Sequence, residues 1–366
     1  MTTTAPRPIH HKPDETDKTL LNALQAGLPL SRSPYADIGA DIGLDEAEVL
    51  RRLDVLRRAA IVRQISAIFD TRALGYTSML VAAKYPEGKL HEGAAIVGGH
   101  PGVSHNYRRT HDFNLWFTLA VEPDARLGLE ETIDILTERT GAISMRMLPT
   151  LKLFKINVQL DMTGKSDDKV EAPKPPPKRG DGVLPTDEDR KFICILQRDL
   201  PGTHDPFGDW AAEAGIEPDE LLAYAERFRE RNYMRRFAAV LNHRRAGFGA
   251  NGMAVWRVPE DRIEEIGQTM AGFRSVSHCY RRPTYSDWPY NVFSMVHSRS
   301  KDACEEVIQA IADETGLTAP DDRAVLYSTL EYKKIRLVYY TPEYRAWEDI
   351  ATSGGELPRW GDEPRP

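Results

Sequence analysis

The residues best suited to chemistry lie in two short runs. Val103-Ser-His-Asn-Tyr-Arg-Arg109 and Val276-Ser-His-Cys-Tyr-Arg-Arg282, 173 positions apart, match at every position but Asn106 and Cys279. Read as strands, they alternate faces, so His105, Tyr107 and Arg109 share one face and His278, Tyr280 and Arg282 share its equivalent. Ser277, Cys279 and Arg281 take the opposite face. An imidazole, a phenol and a guanidinium in a row make a poor apolar stripe. They suit an anion: arginine's planar fork matches carboxylate or phosphate, and histidine exchanges a proton near neutral pH. The competing reading is a solvated edge strand with a hydrogen-bonded histidine.

A second basic cluster comprises Arg235, Arg236, His243, Arg244 and Arg245. The run Met234 to Arg245 contains no acid, although the chain carries a net charge of −7. It reads either as an exposed basic ribbon or as an anion pocket. Its counterpart in the first half keeps Arg63 and Arg72 but includes Asp70. His111 and Asp112 follow the first run, whereas the second is followed by an insertion with Asp287 and Trp288. Trp116, Tyr285, Trp288 and Tyr290 are each ordinary core or interface residues, or together a wall for an aromatic ring. There is no Gly-x-Gly-x-x-Gly after a strand, no Walker loop, no His-Glu-x-x-His and no Gly-x-Ser-x-Gly. The glycine pairs Gly98-Gly99 and Gly247 with Gly249 read as turns.

The elements that must hold these residues also come in pairs. The run from Arg63 through Gly75 aligns with that from Arg235 through Gly247 at a spacing of 172, Asn114-Leu-Trp-Phe with Asn291-Val-Phe-Ser at 177, and Leu151–Ile156 with Leu330–Ile335 at 179. Offsets this steady mark an internal duplication, two copies related as a pseudo-dimer within one chain. Each copy opens with a helical part. Leu20, Leu21 and Leu24 recur at helical spacing, and Gly39 and Gly43 punctuate. Asp45 with Glu48 makes a capping start, and Val49, Leu50, Leu53 and Leu56 form a stripe. Ile193, Leu196, Trp210 and Leu221 anchor the second version. Three short helices followed by a strand suggest a winged helix-turn-helix.

The rest of each copy reads strand, helix, strand, strand, helix, strand. This βαββαβ order gives a four-stranded antiparallel sheet with both helices on one face, the ferredoxin-like arrangement. The fold class is therefore α+β, and the uncovered sheet faces can turn toward each other. The expected organisation is a tail at 1–16, helix-turn-helix domains at 17–62 and 188–234, and ferredoxin-like domains at 63–163 and 235–345. A Pro-rich linker takes 164–187 and a C-terminal tail 346–366.

Composition narrows the setting. Of 366 residues, 41% are apolar and 28% charged, an ordinary globular balance. The acidic net charge opposes coating of nucleic acid. No apolar run approaches a membrane span, and the N-terminal residues carry no secretory signal pattern. Cys194, Cys279 and Cys304 are too scattered for a disulfide framework or a Cys-rich metal site, so a reducing cytoplasm is expected. A DNA-reading second helix would need basic residues at its start. Here the segments open Leu-Asp-Glu-Ala-Glu and Glu-Pro-Asp-Glu, which oppose phosphate.

The helix-turn-helix plus ferredoxin-like layout resembles the Lrp/AsnC regulators. The runs Val103-Ser-His-Asn-Tyr-Arg-Arg-Thr-His-Asp-Phe-Asn-Leu-Trp-Phe-Thr118, Arg235 to Phe248, and Ser277 to Arg282 resemble one branch of that superfamily, the siroheme decarboxylases of haem d1 and alternative haem biosynthesis. The resemblance covers both copies and is to the fused, two-module form, which leans toward haem d1. It implies loss of carbon dioxide from the acetate arms at C12 and C18 of siroheme to give 12,18-didecarboxysiroheme. It implies no separate cofactor, since the iron belongs to the substrate. Arg63, Arg108, Arg109, Arg235, Arg236, Arg244, Arg281 and Arg282 would bind carboxylates, although only some can face one site. His105 and His278 would donate protons, with His111 and His243 as alternates, or one of the first two would ligate the substrate iron. Tyr107 and Tyr280 would orient the histidine or an acetate. The partners implied are siroheme and its product, with a homo-oligomer or other haem d1 biosynthesis proteins besides. The alternative is a haem- or ligand-sensing regulator.

Overall fold

The computed structural model describes residues 9–156, 182–241, 250–298 and 300–361. The first repeat runs α1 (Glu15–Ala26), α2 (Pro34–Ile42), α3 (Glu46–Arg58), β1 (Val62–Phe69), β2 (Thr77–Lys84), α4 (Leu90–Gly99), β3 (Val103–Arg109), β4 (Leu115–Val121), α5 (Leu129–Thr140), β5 (Ser144–Leu148) and β6 (Lys152–Ile156). The second runs α6 (Asp187–Leu196), α7 (Pro206–Ala214), α8 (Pro218–Glu230), β7 (Met234–Leu241), β8 (Ala250–Trp256), α9 (Ile263–Gly272), β9 (Val276–Arg281), β10 (Val292–Ser298), α10 (Lys301–Thr315) and β11 (Arg323–Lys334). A last helix, α11 (Pro342–Ser353), follows. The chain divides into two units, one built from the helix-turn-helix parts of both repeats and one from both sheet parts.

In the helical unit, side-chain caps start the helices. Asp14 and Asp17 form a capping box on α1, Thr186 and Asp189 form one on α6, and Asp45 caps α3 through the Glu48 amide. Leu20, Leu24, Val49, Leu53 and Leu56 are buried, as are Ile193, Leu196, Trp210 and Leu221. The strand after the third helix of each repeat pairs with its twin: β1 and β7 run antiparallel, with Ile65 opposite Ala239. Residues 63–69 and 235–241 therefore serve the helical unit, although the sequence places them at the start of the ferredoxin-like parts.

In the sheet unit, nine strands form one continuous order, β5-β2-β4-β3-β11-β8-β10-β9-β6. Two separate four-stranded sheets were expected. They join because the last strand of each repeat serves both halves. β5 pairs with β2 of its own repeat, and the chain then continues as β6 against β9 of the other. The first part of β11 pairs with β8 and the second with β3. Both histidine runs are thereby interior strands, which overturns the edge-strand reading: each would expose unpaired amides without the crossing partner. Register corrects one repeat offset too. Leu330 sits opposite Arg108 and Lys152 opposite Arg281, so the last strands correspond at 178 rather than 179.

Helices α4 and α5 cover one half with Leu90, Val97, Ile133 and Leu136, and α9 and α10 cover the other with Ile266, Met270, Ile308 and Ile311. The helix-free faces meet in a third core, where Ala82, Trp116 and Leu148 pack with Met253, Val255, Phe293 and Leu326. The C-terminal residues expected as a tail are structured: α11 inserts Tyr344, Trp347 and Ala351 into the first repeat's core. The Gly98-Gly99 pair is not a turn but the end of α4. A Cβ on Gly99 would lie 1.8 Å from the Pro358 carbonyl oxygen, so glycine lets the C-terminal segment cross this helix.

Candidate active site

The two chemical runs become two matching ladders in the sheet unit. On β3 the His105 and Tyr107 rings lie 6.2 Å apart, and the Arg109 guanidinium carbon sits 5.9 Å from the Tyr107 ring centre. On β9 the His278 and Tyr280 rings lie 5.9 Å apart, with the Arg282 carbon 4.9 Å from Tyr280. Asn106, one residue out of phase, points to the helices and donates to the Ala94 carbonyl. The ladders therefore line the sheet face that no helix of their own repeat covers.

Both histidines stand at a β-bulge. Register slips between Val103 and His105 against β4, and between Val276 and His278 against β10. The extra residue is a serine, and bulges of this kind re-aim neighbouring side chains. Ser104 Oγ meets His105 Nδ1 at 2.9 Å, and Ser277 Oγ meets His278 Nδ1 at 2.7 Å. Burial, with the charge of nearby His297, pushes the His278 pKa down to about 4.

The arginines at the far end of each ladder are held in a matched way. Arg109 Nη1 donates to the Leu326 carbonyl at 3.0 Å, and Arg282 Nη1 donates to the Leu148 carbonyl. Leu326 belongs to the second repeat and Leu148 to the first, so each guanidinium reaches across. Neither has a carboxylate partner among the described residues, and the Nε atom of each is sealed from water without a hydrogen-bond acceptor. Burial pulls both pKa values down to about 10, which leaves both groups cationic at neutral pH. A buried cation without a counter-charge is costly, and a carboxylate would meet both the charge and the missing acceptor.

The other candidates separate. Arg108 and Arg281 pair with Glu87 and Glu260, acids at the helix-bearing side, and are neutralised there. Arg63, Arg235 and Arg236 are exposed on β1 and β7 in the helical unit, and Arg235 is paired with Asp70 at 2.6 Å. These five are not ladder residues. His243 and Arg244 lie outside the described residues, as do Arg245, Gly247 and Gly249. His111 sits apart from the ladder, with its ring 5.3 Å from Trp288 and 6.3 Å from Tyr290. Its Nδ1 accepts from the Phe113 amide, and burial lowers its pKa. Trp116 and Trp288 are sealed in the core between the half-sheets, with Tyr285 and Tyr290 packed against them.

Sequence reasoning missed four residues. Ser104, Ser277 and Thr118 touch the histidine environment through their hydroxyls, and His297 affects His278 by charge. His297 lies two residues from Met295, which stands opposite His278, a pairing that only the sheet register reveals. Comparison of repeats hid it, because the matching first-repeat residue is Ala120. Among the described residues no group of three His, Cys, Asp or Glu side chains could hold a metal ion.

A family profile described as the siroheme decarboxylase NirDL-like helix-turn-helix domain matches residues 17–63 and 189–235, and an AsnC-like ligand binding domain profile matches 73–155 and 245–333. The siroheme decarboxylase of Hydrogenobacter thermophilus is 39% identical over 339 residues, 91% of this chain and 97% of that protein. The siroheme decarboxylase beta subunit of Methanosarcina barkeri is 42% identical over 146 residues, covering 40% of this chain and 94% of the subunit. A crystal structure of the siroheme decarboxylase NirDL in co-complex with iron-uroporphyrin III analogue matches with a TM-score of 0.73 at 34% identity, over 93% of this chain and 99% of that one.

Proposed function

The chain belongs to the siroheme decarboxylase family, and on that premise we propose that it removes carbon dioxide from the acetate arms at C12 and C18 of siroheme, giving 12,18-didecarboxysiroheme. The observation that carries this reading is the pair of guanidiniums, Arg109 and Arg282, each with its Nε sealed and with no acid partner among the described residues. Siroheme bears a carboxylate on every peripheral arm. An arm beside either arginine neutralises it and accepts from its Nε–H.

In this reading a phenol and an imidazole of the same ladder act on the bound arm. Tyr107 or Tyr280 orients the acetate. When the bond between the methylene and carboxyl carbons breaks, carbon dioxide leaves and the electron pair stays on the methylene carbon. The conjugated macrocycle delocalises that charge, so no further organic cofactor is required. A proton from His105 or His278 completes the methyl group. Empty, His278 is neutral at pH 7. An anionic arm nearby favours the imidazolium and moves its pKa back toward the working range. The iron enters with the substrate. We place this reaction in the cytoplasm; among the described residues, no helix is long and apolar enough to cross a membrane.

The test is anaerobic incubation with siroheme and mass spectrometry of the products. Loss of two carbon dioxide units is expected. Siroheme recovered unchanged, with tight binding of duplex DNA, would reverse the reading in favour of a regulator.

A further inference from the structure

The two ladders match in histidine, tyrosine and arginine but differ in their neighbours across the sheet. The last strands, β6 and β11, carry matching bulges: register slips between Leu153 and Lys155 against β9, and between Glu331 and Lys333 against β3. On the helix-bearing side, Lys155 Nζ donates to the Phe273 carbonyl and Lys333 Nζ to the Gly98 carbonyl, each at 2.6 Å. The bulges leave Leu153 opposite Tyr280 and Glu331 opposite Tyr107, both half-buried on the ladder face. Leu153 and Glu331 are equivalent positions, 178 residues apart.

On the other flank, Phe293 stands opposite Tyr280 and Trp116 opposite Tyr107. At the level of the tyrosine, the second ladder is thus flanked by a leucine and a phenylalanine, and the first by a tryptophan and a carboxylate. The contrast continues at the histidine: Met295 stands opposite His278, whereas Thr118 and Lys334 stand opposite His105. Burial is the main reason the His278 pKa falls, the mark of surroundings that solvate charge poorly.

This difference bears on rate. Loss of carbon dioxide moves charge from a compact carboxylate onto the methylene carbon and the conjugated ring. Polar neighbours hold the compact charge better than the dispersed one, so they stabilise the ground state more than the transition state. Leucine and phenylalanine flanks withhold that stabilisation, while Arg282 still fixes where the arm lies. Glu331 puts a full charge beside Tyr107, and the first ladder lacks the advantage.

We propose that the two ladders divide the work: the second takes carbon dioxide from both acetates in turn, the first grips an arm that keeps its carboxylate, and Leu153 against Glu331 sets the difference. This division rests on the decarboxylase reading. In each turn the carbon–carbon bond breaks, its electron pair stays on the methylene carbon, and a proton from His278 completes the methyl group. The histidine regains its proton from water. The C12 and C18 acetates stand in mirror order about the bridging carbon between their two rings, so turning the macrocycle over presents the second arm where the first one was.

Anaerobic turnover of siroheme by full-length variants tests this, with products counted by mass spectrometry and kcat separated from KM. Leu153→Gln puts an amide donor beside the reacting carboxylate. One hydrogen bond made in the ground state and lost in the transition state should lower kcat about tenfold without raising KM. Both losses of carbon dioxide should slow alike, with no singly decarboxylated end product. Leu153→Met should restore kcat. Glu331→Leu removes a negative charge from beside a gripped anion, so KM should fall severalfold with no loss of kcat and with both carbon dioxide units still lost. A singly decarboxylated end product from either variant gives each ladder its own acetate and overturns the proposal. Unchanged kcat in Leu153→Gln, or a fall in kcat in Glu331→Leu, overturns it as well. Should Leu153→Gln not fold, the kcat and products of Glu331→Leu decide alone. Wild-type protein that leaves siroheme intact sinks the decarboxylase reading and this division with it, whereas wild-type turnover beside any overturning result removes the division only.

Discussion

Arginines mean different things in the two units. Along α3, Arg51 and Arg52 pair with Glu48, Arg52 also with Asp14 and Asp17, Arg57 with Asp199, and Arg58 with Asp54. Along α8, Arg227 pairs with Asp189 and Arg229 with Glu226. Each of these cations already has its anion. In the sheet unit, Arg109 and Arg282 have no carboxylate partner among the described residues; each has a sealed Nε, one backbone carbonyl and a neighbouring aromatic ring. A helix-turn-helix that reads DNA keeps basic groups available for phosphate. Along α3 and α8 these groups are held by the protein's own acids, whereas Arg109 and Arg282 in the sheet unit have none among the described residues. The contrast is the basis for assigning the anion to the sheet unit.

The sharpest way to break that contrast is Arg282→Met, the largest effect expected. Losing a charge-assisted contact to a buried carboxylate should weaken siroheme binding by about 2–5 kcal/mol, read by titration of the porphyrin spectrum. The ligand-free protein should be no less stable, because replacing an uncompensated buried cation with an apolar side chain is neutral or favourable by about 1–4 kcal/mol in denaturant unfolding. A loss of stability equal to the loss of binding would show Arg282 to be a structural strut, and the contrast would fall.

The same contrast has a pH counterpart. His278 is held near a pKa of about 4, against 6.5 in the unfolded chain. The unfolded state therefore takes up a proton first as pH falls, so stability drops through the window from about 6.5 down to 4. Both the burial and His297 act in this direction. The part owed to His278 is on the order of 3 kcal/mol. His278→Gln should flatten that part of a stability-versus-pH curve measured without ligand. An unchanged slope would place the acid sensitivity elsewhere, for instance at His100, which burial and Lys333 push down to about 3.

Much of this was legible in the chain because it is local. Alternation by two was enough to put His105, Tyr107 and Arg109 on one face. Duplication was visible in matched runs, and Asp45 with Glu48 marked the start of α3. What was hidden depends on partners distant in sequence. Nothing in Lys152–Ile156 announces that it leaves its own repeat to flank β9, because a strand's partner is set by the whole sheet. The bulge is a difference in register between two strands, and neither strand shows it alone. The C-terminal helix was the avoidable miss. Tyr344, Trp347 and Ala351 recur at helical spacing, and a run of charged neighbours masked them. Arg108 and Arg281, beside the ladders but on the opposite face, were overcounted for a similar reason: composition gives charge, and only geometry shows that Glu87 and Glu260 already satisfy it.

The smallest effect expected comes from the other side of the comparison, and its smallness is the point. Arg51 and Arg58 are exposed, and their partners Glu48 and Asp54 lie within a turn of the same helix. Exposed ion pairs of this kind contribute little to stability, because water and salt screen them. The double variant Arg51→Ala, Arg58→Ala should therefore barely move the denaturant midpoint. It should bind and turn over siroheme at wild-type levels, because neither residue is in the sheet unit. It should also leave any weak, salt-sensitive binding of duplex DNA unchanged, since these guanidiniums are already neutralised by their own helix. A helix still reading DNA behaves differently: removal of two phosphate contacts weakens binding and lowers the slope of log affinity against log salt by about 2. A slope change of that size, measured across a salt series, would mean that the pairs open to admit phosphate. The acids beside them would then be gates rather than permanent partners, and the division of labour between the two units would not hold.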